Sequence, residues 1–231
     1  MPKLSIVEQK QIAAAAAVEF VENKMIVGLG TGSTSEFAIR LLAKKVKDGL
    51  KIVGVPSSIT TEKLARRLKI PLVSDFGVIT KIDVTIDGAD EVDPQLNLIK
   101  GGGGALTREK IVASRSERVI IIVDEKKLVR RLGKFSVPVE VVPFGWRSTM
   151  EILRRFGART KLREKTKSAS FCTDNGNYII DCAFGKIKNP PQLAEQLKSI
   201  VGVVEVGLFI GRADLVLVGR SNGRVEEKWA A

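Results

Sequence analysis

The chain has 231 residues and a formal net charge of +12, from 38 basic and 26 acidic side chains, with two cysteines and no histidine. That length allows one large α/β core or two unequal ones, and 44% apolar content excludes a disordered chain. The missing histidine excludes Ser-His-Asp chemistry and the usual zinc ligand, so acid–base work falls to Asp, Glu, Lys, Cys or Tyr.

In chain order, Ser5-x-x-Glu8 reads as a capping box ahead of the apolar run Ile12–Val21, whose alanine block Ala13–Ala17 has the highest helix propensity. Met25–Leu29 is a short buried strand running into Gly30-Thr31-Gly32-Ser33-Thr34, and a helix follows to about Lys47. Strand, Gly/Thr/Ser loop and helix is a layout that offers N–H groups and hydroxyls to a phosphate, and equally a tight turn that needs glycine. A dinucleotide fingerprint fails, because Ser33 stands where a glycine is required and the strand Lys51–Val55 ends in Pro56-Ser57-Ser58 rather than an acid. A Walker loop would need Gly-Lys-Ser/Thr, which is absent.

Ser58 starts a helix through Leu68, and Asp83–Ile86 is a strand. At its end begins the stretch around which the chain is organised, DGADEVDPQLNLIKGGGGALTREK, residues 87–110. Acids beside a glycine run weaken a local fold, since glycine costs backbone entropy and charges resist burial. A site that gathers carboxylates, an ammonium and bare N–H groups explains the set better than a solvated loop does. Ala105–Arg115 reads as a helix and Arg118–Val123 as a strand ending at Asp124-Glu125-Lys126-Lys127. The alternation predicts a mostly parallel sheet flanked by helices, with Gly30–Thr34, Asp87–Asp90 and Lys127 all following strand ends.

From Val137 the pattern becomes β-α-β-β-α-β: Val137–Val142, Trp146–Phe156 closed by Gly157, Arg159–Glu164, Tyr178–Cys182, Gln192–Ile200 and Val203–Val206. This predicts a smaller α+β domain of split βαβ, ferredoxin-like type over 133–207, inserted into a catalytic domain of 1–132 plus 208–231. Asp174-Asn175-Gly176-Asn177 is a hairpin turn. With Asn175-Gly176 as its centre, Cys172 opposes Ile179, and both cysteines are read as core thiols in a reducing compartment. The strand Leu215–Gly219 is apolar enough to rejoin the first sheet, and Arg220–Ala231 is a polar tail.

Partners follow from charge and hydropathy. The basic runs Lys44–Lys47, Lys63–Lys69, Lys126–Lys134 and Arg154–Lys167 alternate with apolar residues like solvated helix faces, with little aromatic interleaving. That favours a small anionic substrate over nucleic acid. No apolar run approaches the roughly 20 residues that span a bilayer, and the start MPKLSIVEQKQ has no signal-peptide core, so the expected location is the cytoplasm.

Gly30-Thr31-Gly32-Ser33-Thr34, Asp87-Gly88-Ala89-Asp90-Glu91, Lys100-Gly101-Gly102-Gly103 and Ala105-Leu106-Thr107-Arg108-Glu109-Lys110 together resemble type A ribose-5-phosphate isomerase. So do Leu132-Gly133-Lys134-Phe135, Val137-Pro138-Val139-Glu140, Thr173-Asp174-Asn175-Gly176-Asn177 and Gly207-Leu208-Phe209, in the same order and over nearly the whole chain. The resemblance implies an aldose–ketose isomerase acting on a sugar phosphate. It implies no cofactor or metal, and a homodimer or homotetramer. It places the catalytic base on Glu109, the catalytic lysine on Lys100 and the site aspartates on Asp87 and Asp90. Substrate binding falls on Thr31, Gly32, Ser33, Thr34, Gly88, Ala89, Gly101, Gly102, Gly103 and Lys127, together with Asp87, Asp90 and Lys100 themselves. One departure is Gly104, where the family often has alanine. One rival follows from the residues, a magnesium phosphohydrolase using Asp87, Asp90, Glu91 and Asp93; two more come from related folds, a sugar-phosphate sensor and a coenzyme A transferase with a glutamate nucleophile.

Overall fold

The computed structural model describes residues 3–166 and 169–230. Met1, Pro2, Lys167 (the end of the basic run from Arg154), Ser168 and Ala231 (the end of the polar tail) lie outside the described residues. In chain order the elements begin α1 (Ile6–Val18), β1 (Ile26–Leu29), α2 (Ser33–Lys47), β2 (Val53–Pro56), α3 (Ile59–Arg67), β3 (Ile82–Gly88), β4 (Glu91–Val92), β5 (Leu98–Ile99), α4 (Leu106–Ser114) and β6 (Ser116–Asp124). They continue with β7 (Val137–Val141), α5 (Trp146–Arg155), β8 (Arg159–Leu162), β9 (Glu164–Thr166), β10 (Ala169–Ser170), β11 (Tyr178–Ala183), α6 (Pro190–Lys198), β12 (Val203–Val206), β13 (Leu208–Phe209), β14 (Leu215–Gly219) and β15 (Val225–Trp229).

Two compact units emerge. The first is Met1–Ala89, Arg108–Lys127 and Arg212–Ala231; the second is Asp90–Thr107 and Leu128–Gly211. The second unit holds the 133–207 stretch together with 90–107, 128–132 and 208–211.

In the first unit, the main sheet among the described residues has the order β15-β14-β6-β3-β1-β2. All neighbours are parallel except β14 and β15. The capping box starts α1 as expected: Glu8 N donates to Ser5 Oγ (3.3 Å) and Ser5 N to Glu8 Oε2 (2.7 Å). The alanines serve packing as well as propensity. Ala13, Ala14 and Ala17 are fully buried, and their small side chains join one core with Val27, Leu29, Ile120, Ile122, Leu215 and Leu217. These strand residues alternate with neighbours on the other face, the period of two that a pleated sheet imposes. The polar tail contains a strand. Its Val225–Trp229 segment pairs antiparallel with β14, and its polarity suits an edge strand with an exposed face.

In the second unit, β12-β7-β11-β8 form an antiparallel four-stranded sheet, the ferredoxin-like order expected from the sequence. Val137, Val139 and Val141 pack with Leu153 of α5 and Leu197 of α6. A separate three-stranded sheet, β13-β5-β4, ties residues 91–99 to 208–209, which is why the segment after Asp90 belongs to this unit. The hairpin register differs by one residue from the expected one. Cys172 bridges Tyr178, not Ile179, because Thr173 N pairs with Asn177 O and Gly176 N with Thr173 O. The loop therefore has three residues with Gly176 left-handed (φ 80°). This leaves Cys172 exposed, while Cys182 is buried as expected; both are free thiols. No helix among the described residues is long and apolar enough to cross a membrane.

Candidate active site

The first unit has the strand order of a doubly wound sheet, with β1 flanked by β2 on one side and β3 on the other. In such sheets ligands bind outside the carboxyl ends of the strands where the order reverses, here between β1 and β3. Gly30–Thr34 leaves β1 at that point and Asp87-Gly88 closes β3 there.

The two are joined through one carboxylate. Asp87 is 3% exposed, and its Oδ1 accepts from Thr31 N (3.1 Å), Ser35 Oγ (3.1 Å) and Gly88 N (2.7 Å). Gly30 must be glycine here, since a Cβ would stand 2.2 Å from Asp87 Oδ1. α2 then starts at Ser33 with Gly32 as N-cap, which has no side chain to turn onto the first N–H groups. An uncapped helix N-terminus offers its N–H groups and its dipole to an anion.

Several neighbours were not legible as site residues. Lys10 of α1 donates to Ser33 Oγ (3.0 Å), which puts an ammonium on this loop. Thr31 Oγ1 lies 2.9 Å from Ser57 Oγ, 2.8 Å from Ser58 Oγ and 3.1 Å from Thr61 Oγ1. The Ser57-Ser58 pair, which marked the failure of a dinucleotide motif, thus supports the β1 loop from the end of β2; two serines after a strand parallel to β1 were the available signal. Lys127 closes a short 3-10 turn directly after β6. That turn is fastened to α1, because Glu125 N donates to Gln9 Oε1 (3.3 Å). Lys10 and Lys127 are thereby carried by joined elements. Glu109 is 4% exposed and stands in the first turn of α4, where the helix dipole favours a negative charge.

Asp90, Lys100 and the glycine run belong to the second unit. Asp90 Oδ2 accepts from Gly102 N (2.8 Å). Lys100 is 3% exposed; its N donates to Gly207 O (2.9 Å) and its Nζ stands 5.5 Å from the Phe209 ring centroid. Arg163 clamps the glycine run from outside, donating to Gly101 O (2.9 Å) and Gly102 O (3.1 Å) while pairing with Asp181. Gly104 has a φ of 84°, and a Cβ there would lie 2.3 Å from Phe171. Glycine at this departure from the family is therefore what the packing of this chain requires. Ala89, Gly101 and Gly103 lie in the same two connecting stretches, with Gly101 buried and Gly103 exposed.

The four acids of the strip divide. Glu91 is buried and accepts from Gly133 N (2.7 Å) and Phe135 N (2.6 Å). Asp93 caps a turn, accepting from Gln95 N (2.9 Å), Asn97 N (2.8 Å) and Asn97 Nδ2 (3.0 Å). Both carboxylates hold loop geometry. Glu140 is fully buried and accepts from Thr107 Oγ1 (2.6 Å), Thr173 Oγ1 (2.9 Å), Asn177 Nδ2 (2.9 Å) and Asn175 Nδ2 (3.3 Å).

A doubly wound sheet with a carboxylate-anchored loop and an uncapped helix at its switch point defines an α/β enzyme that binds a small anionic substrate. The family model for "Ribose 5-phosphate isomerase A (phosphoriboisomerase A)" matches residues 53–223. A curated ribose-5-phosphate isomerase A from Listeria innocua is 48% identical over 96% of this chain and 98% of its own length. A solved D-ribose-5-phosphate isomerase in complex with phospho-erythronic acid superposes with a TM-score of 0.94 at 45% identity, covering 98% of this chain and 100% of that one. The ribose 5-phosphate isomerase A from Methanocaldococcus jannaschii gives 0.91 at 39% identity, covering 97% and 100%. The chain belongs to the ribose 5-phosphate isomerase A family.

Proposed function

We propose that this enzyme interconverts ribose 5-phosphate and ribulose 5-phosphate through an enediolate, with Glu109 moving the proton between C2 and C1. The carrying observation is a buried carboxylate in the first turn of α4, downstream of Lys100 and a bare glycine run. With no histidine in the chain, a carboxylate is the natural base.

The substrate first opens to its aldehyde. Asp87 and Asp90 are the carboxylates assigned to hydroxyl proton transfer, and each has one oxygen fixed by a backbone N–H, from Thr31 and Gly102 respectively. Glu109 then takes the C2 proton. The electron pair moves into the C1–C2 bond, and negative charge collects on the former carbonyl oxygen. Lys100 and the N–H groups of Gly101–Gly103 stabilise that charge, glycine allowing close backbone approach. Return of the proton to C1 and transfer of a hydroxyl proton complete the ketose. Lys10, Lys127, Ser33, Thr34 and the N-terminus of α2 hold the phosphate dianion. Phospho-erythronic acid, bound by the 45% identical relative, supports this chemistry, since its planar carboxylate has the shape and charge of an enediolate.

On the same reading the enzyme works without a cofactor or metal, as a homodimer or homotetramer in the cytoplasm, in pentose phosphate metabolism. A coupled assay of ribose 5-phosphate turnover after exhaustive chelation and dialysis tests it. Full activity is expected. Loss of activity restored by magnesium would favour the phosphohydrolase reading instead.

A further inference from the structure

The basic run Lys126–Lys134 is not a solvated helix face. Beyond Lys127 it is an irregular loop leading into β7. The loop is built rather than loose. Val129 N donates to Val92 O (2.9 Å), Glu91 accepts from Gly133 N and Phe135 N, and Leu132 is fully buried. A second loop, after β11, is tied to it where Ile187 N donates to Leu132 O (2.9 Å). Between the two loops, within the second unit, lies an open cavity of about 780 Å³ whose lining includes Arg130, Arg131, Lys134 and Lys186 and no acid.

Among the described residues, none of these four side chains has an ion pair or hydrogen bond. Arg40, Arg66 and Arg154, by contrast, pair with Glu36, Glu62 and Glu151. Glu91, buried and held by Gly133 N and Phe135 N, keeps its single negative charge but pairs with none of the four cations and offsets only part of theirs. Four unpaired cations around a concavity repel one another and focus positive potential into it. Two guanidiniums supply planar forks that match phosphate oxygens. Two phosphate groups carry about −3 to −4 between them, which balances the four cations. The lining holds no aromatic ring on which a base would stack.

We propose that this cavity is a second anion site, separate from the isomerase site, for a small molecule bearing two or more phosphate groups. Neither Arg130 nor Lys186 belongs to the catalytic set, and both are exposed on different loops, so their truncation leaves the core untouched. The test is calorimetric titration of the full chain with pyrophosphate, the isomerase site being blocked by phospho-erythronic acid. One pyrophosphate per chain is expected, bound more tightly than inorganic phosphate. Arg130→Ala and Lys186→Ala should each weaken it by about tenfold or more, with isomerase kinetics unchanged. Absence of binding to the wild type, or equal binding by both variants, overturns the proposal. So does tighter binding of a duplex oligonucleotide than of pyrophosphate, which would make the patch a nucleic-acid surface.

Discussion

Thr31 N donates to Asp87 Oδ1 at 3.1 Å, so the loop after β1 is fixed by the last acid of β3. Three donors converge on that one oxygen. Asp87→Ala removes the acceptor from two half-buried backbone N–H groups and the buried Ser35 hydroxyl and should cost roughly 2–4 kcal/mol of stability, read from urea unfolding. Asp87→Asn retains a carbonyl oxygen and should stay within about 1 kcal/mol of wild type. If Asp87 also moves hydroxyl protons, the asparagine variant loses turnover while keeping its fold. Equal stability of the alanine variant would show that the hydrogen bonds do not hold the loop.

Lys10→Ala and Lys127→Ala should mainly raise KM, since an anchor remote from the reacting carbons contributes binding. Each should lower kcat/KM by about 1.5–3 kcal/mol, the range for hydrogen bonds to charged groups. The comparison is unphosphorylated ribose, whose slow turnover should not respond to either change. An equal loss with both substrates would remove these lysines from the phosphate site.

Glu140 reports on the second unit. Its carboxylate accepts from four uncharged donors in complete burial. Glu140→Ala strands them, and a loss of roughly 3–5 kcal/mol is expected, less than four independent penalties because some donors find new partners. Circular dichroism during thermal melting measures it; a change under 1 kcal/mol would mean the network is not holding the hairpin loop.

Cys182 predicts a pH effect of known sign. Burial first, and the neighbouring Asp181 carboxylate second, push the Cys182 thiol from 9.0 up to about 12. The folded state therefore keeps a proton that the unfolded state releases. The stability this contributes is complete below pH 9 and lost as pH rises towards 12. At pH 8, a thiol reagent should label Cys172 alone in the folded chain and both cysteines in denaturant. Rapid labelling of Cys182 in the native protein would contradict its burial.

Much of this was legible because alternation and glycine placement act locally. The parallel sheet, the ferredoxin-like order and the return of Leu215–Gly219 follow from strand periodicity and apolarity. What escaped depended on neighbours distant in sequence. Lys10 looked like one more helix lysine until Ser33 was seen beside it. The Arg220–Ala231 stretch read only as a polar tail, and the strand Val225–Trp229 within it escaped because an edge strand needs only one buried face. The acid strip read as a single cluster, yet Glu91 and Asp93 serve loop geometry, Asp87 holds the β1 loop and Asp90 holds Gly102 N. Spacing alone does not reveal which backbone donors a carboxylate will meet.

The central claim is that Glu109 is the base. Glu109→Gln keeps volume and helix but accepts no proton from carbon. It should lower kcat by about 10²–10⁴ with a small change in KM. The most direct measurement is deuterium incorporation in heavy water, followed by proton NMR of the sugar phosphates. Wild type should wash deuterium into the aldose at C2 and the ketose at C1, and folded Glu109→Gln should not. Normal exchange and near-normal kcat in that variant would contradict the account and move the base elsewhere, with Asp87 the next candidate.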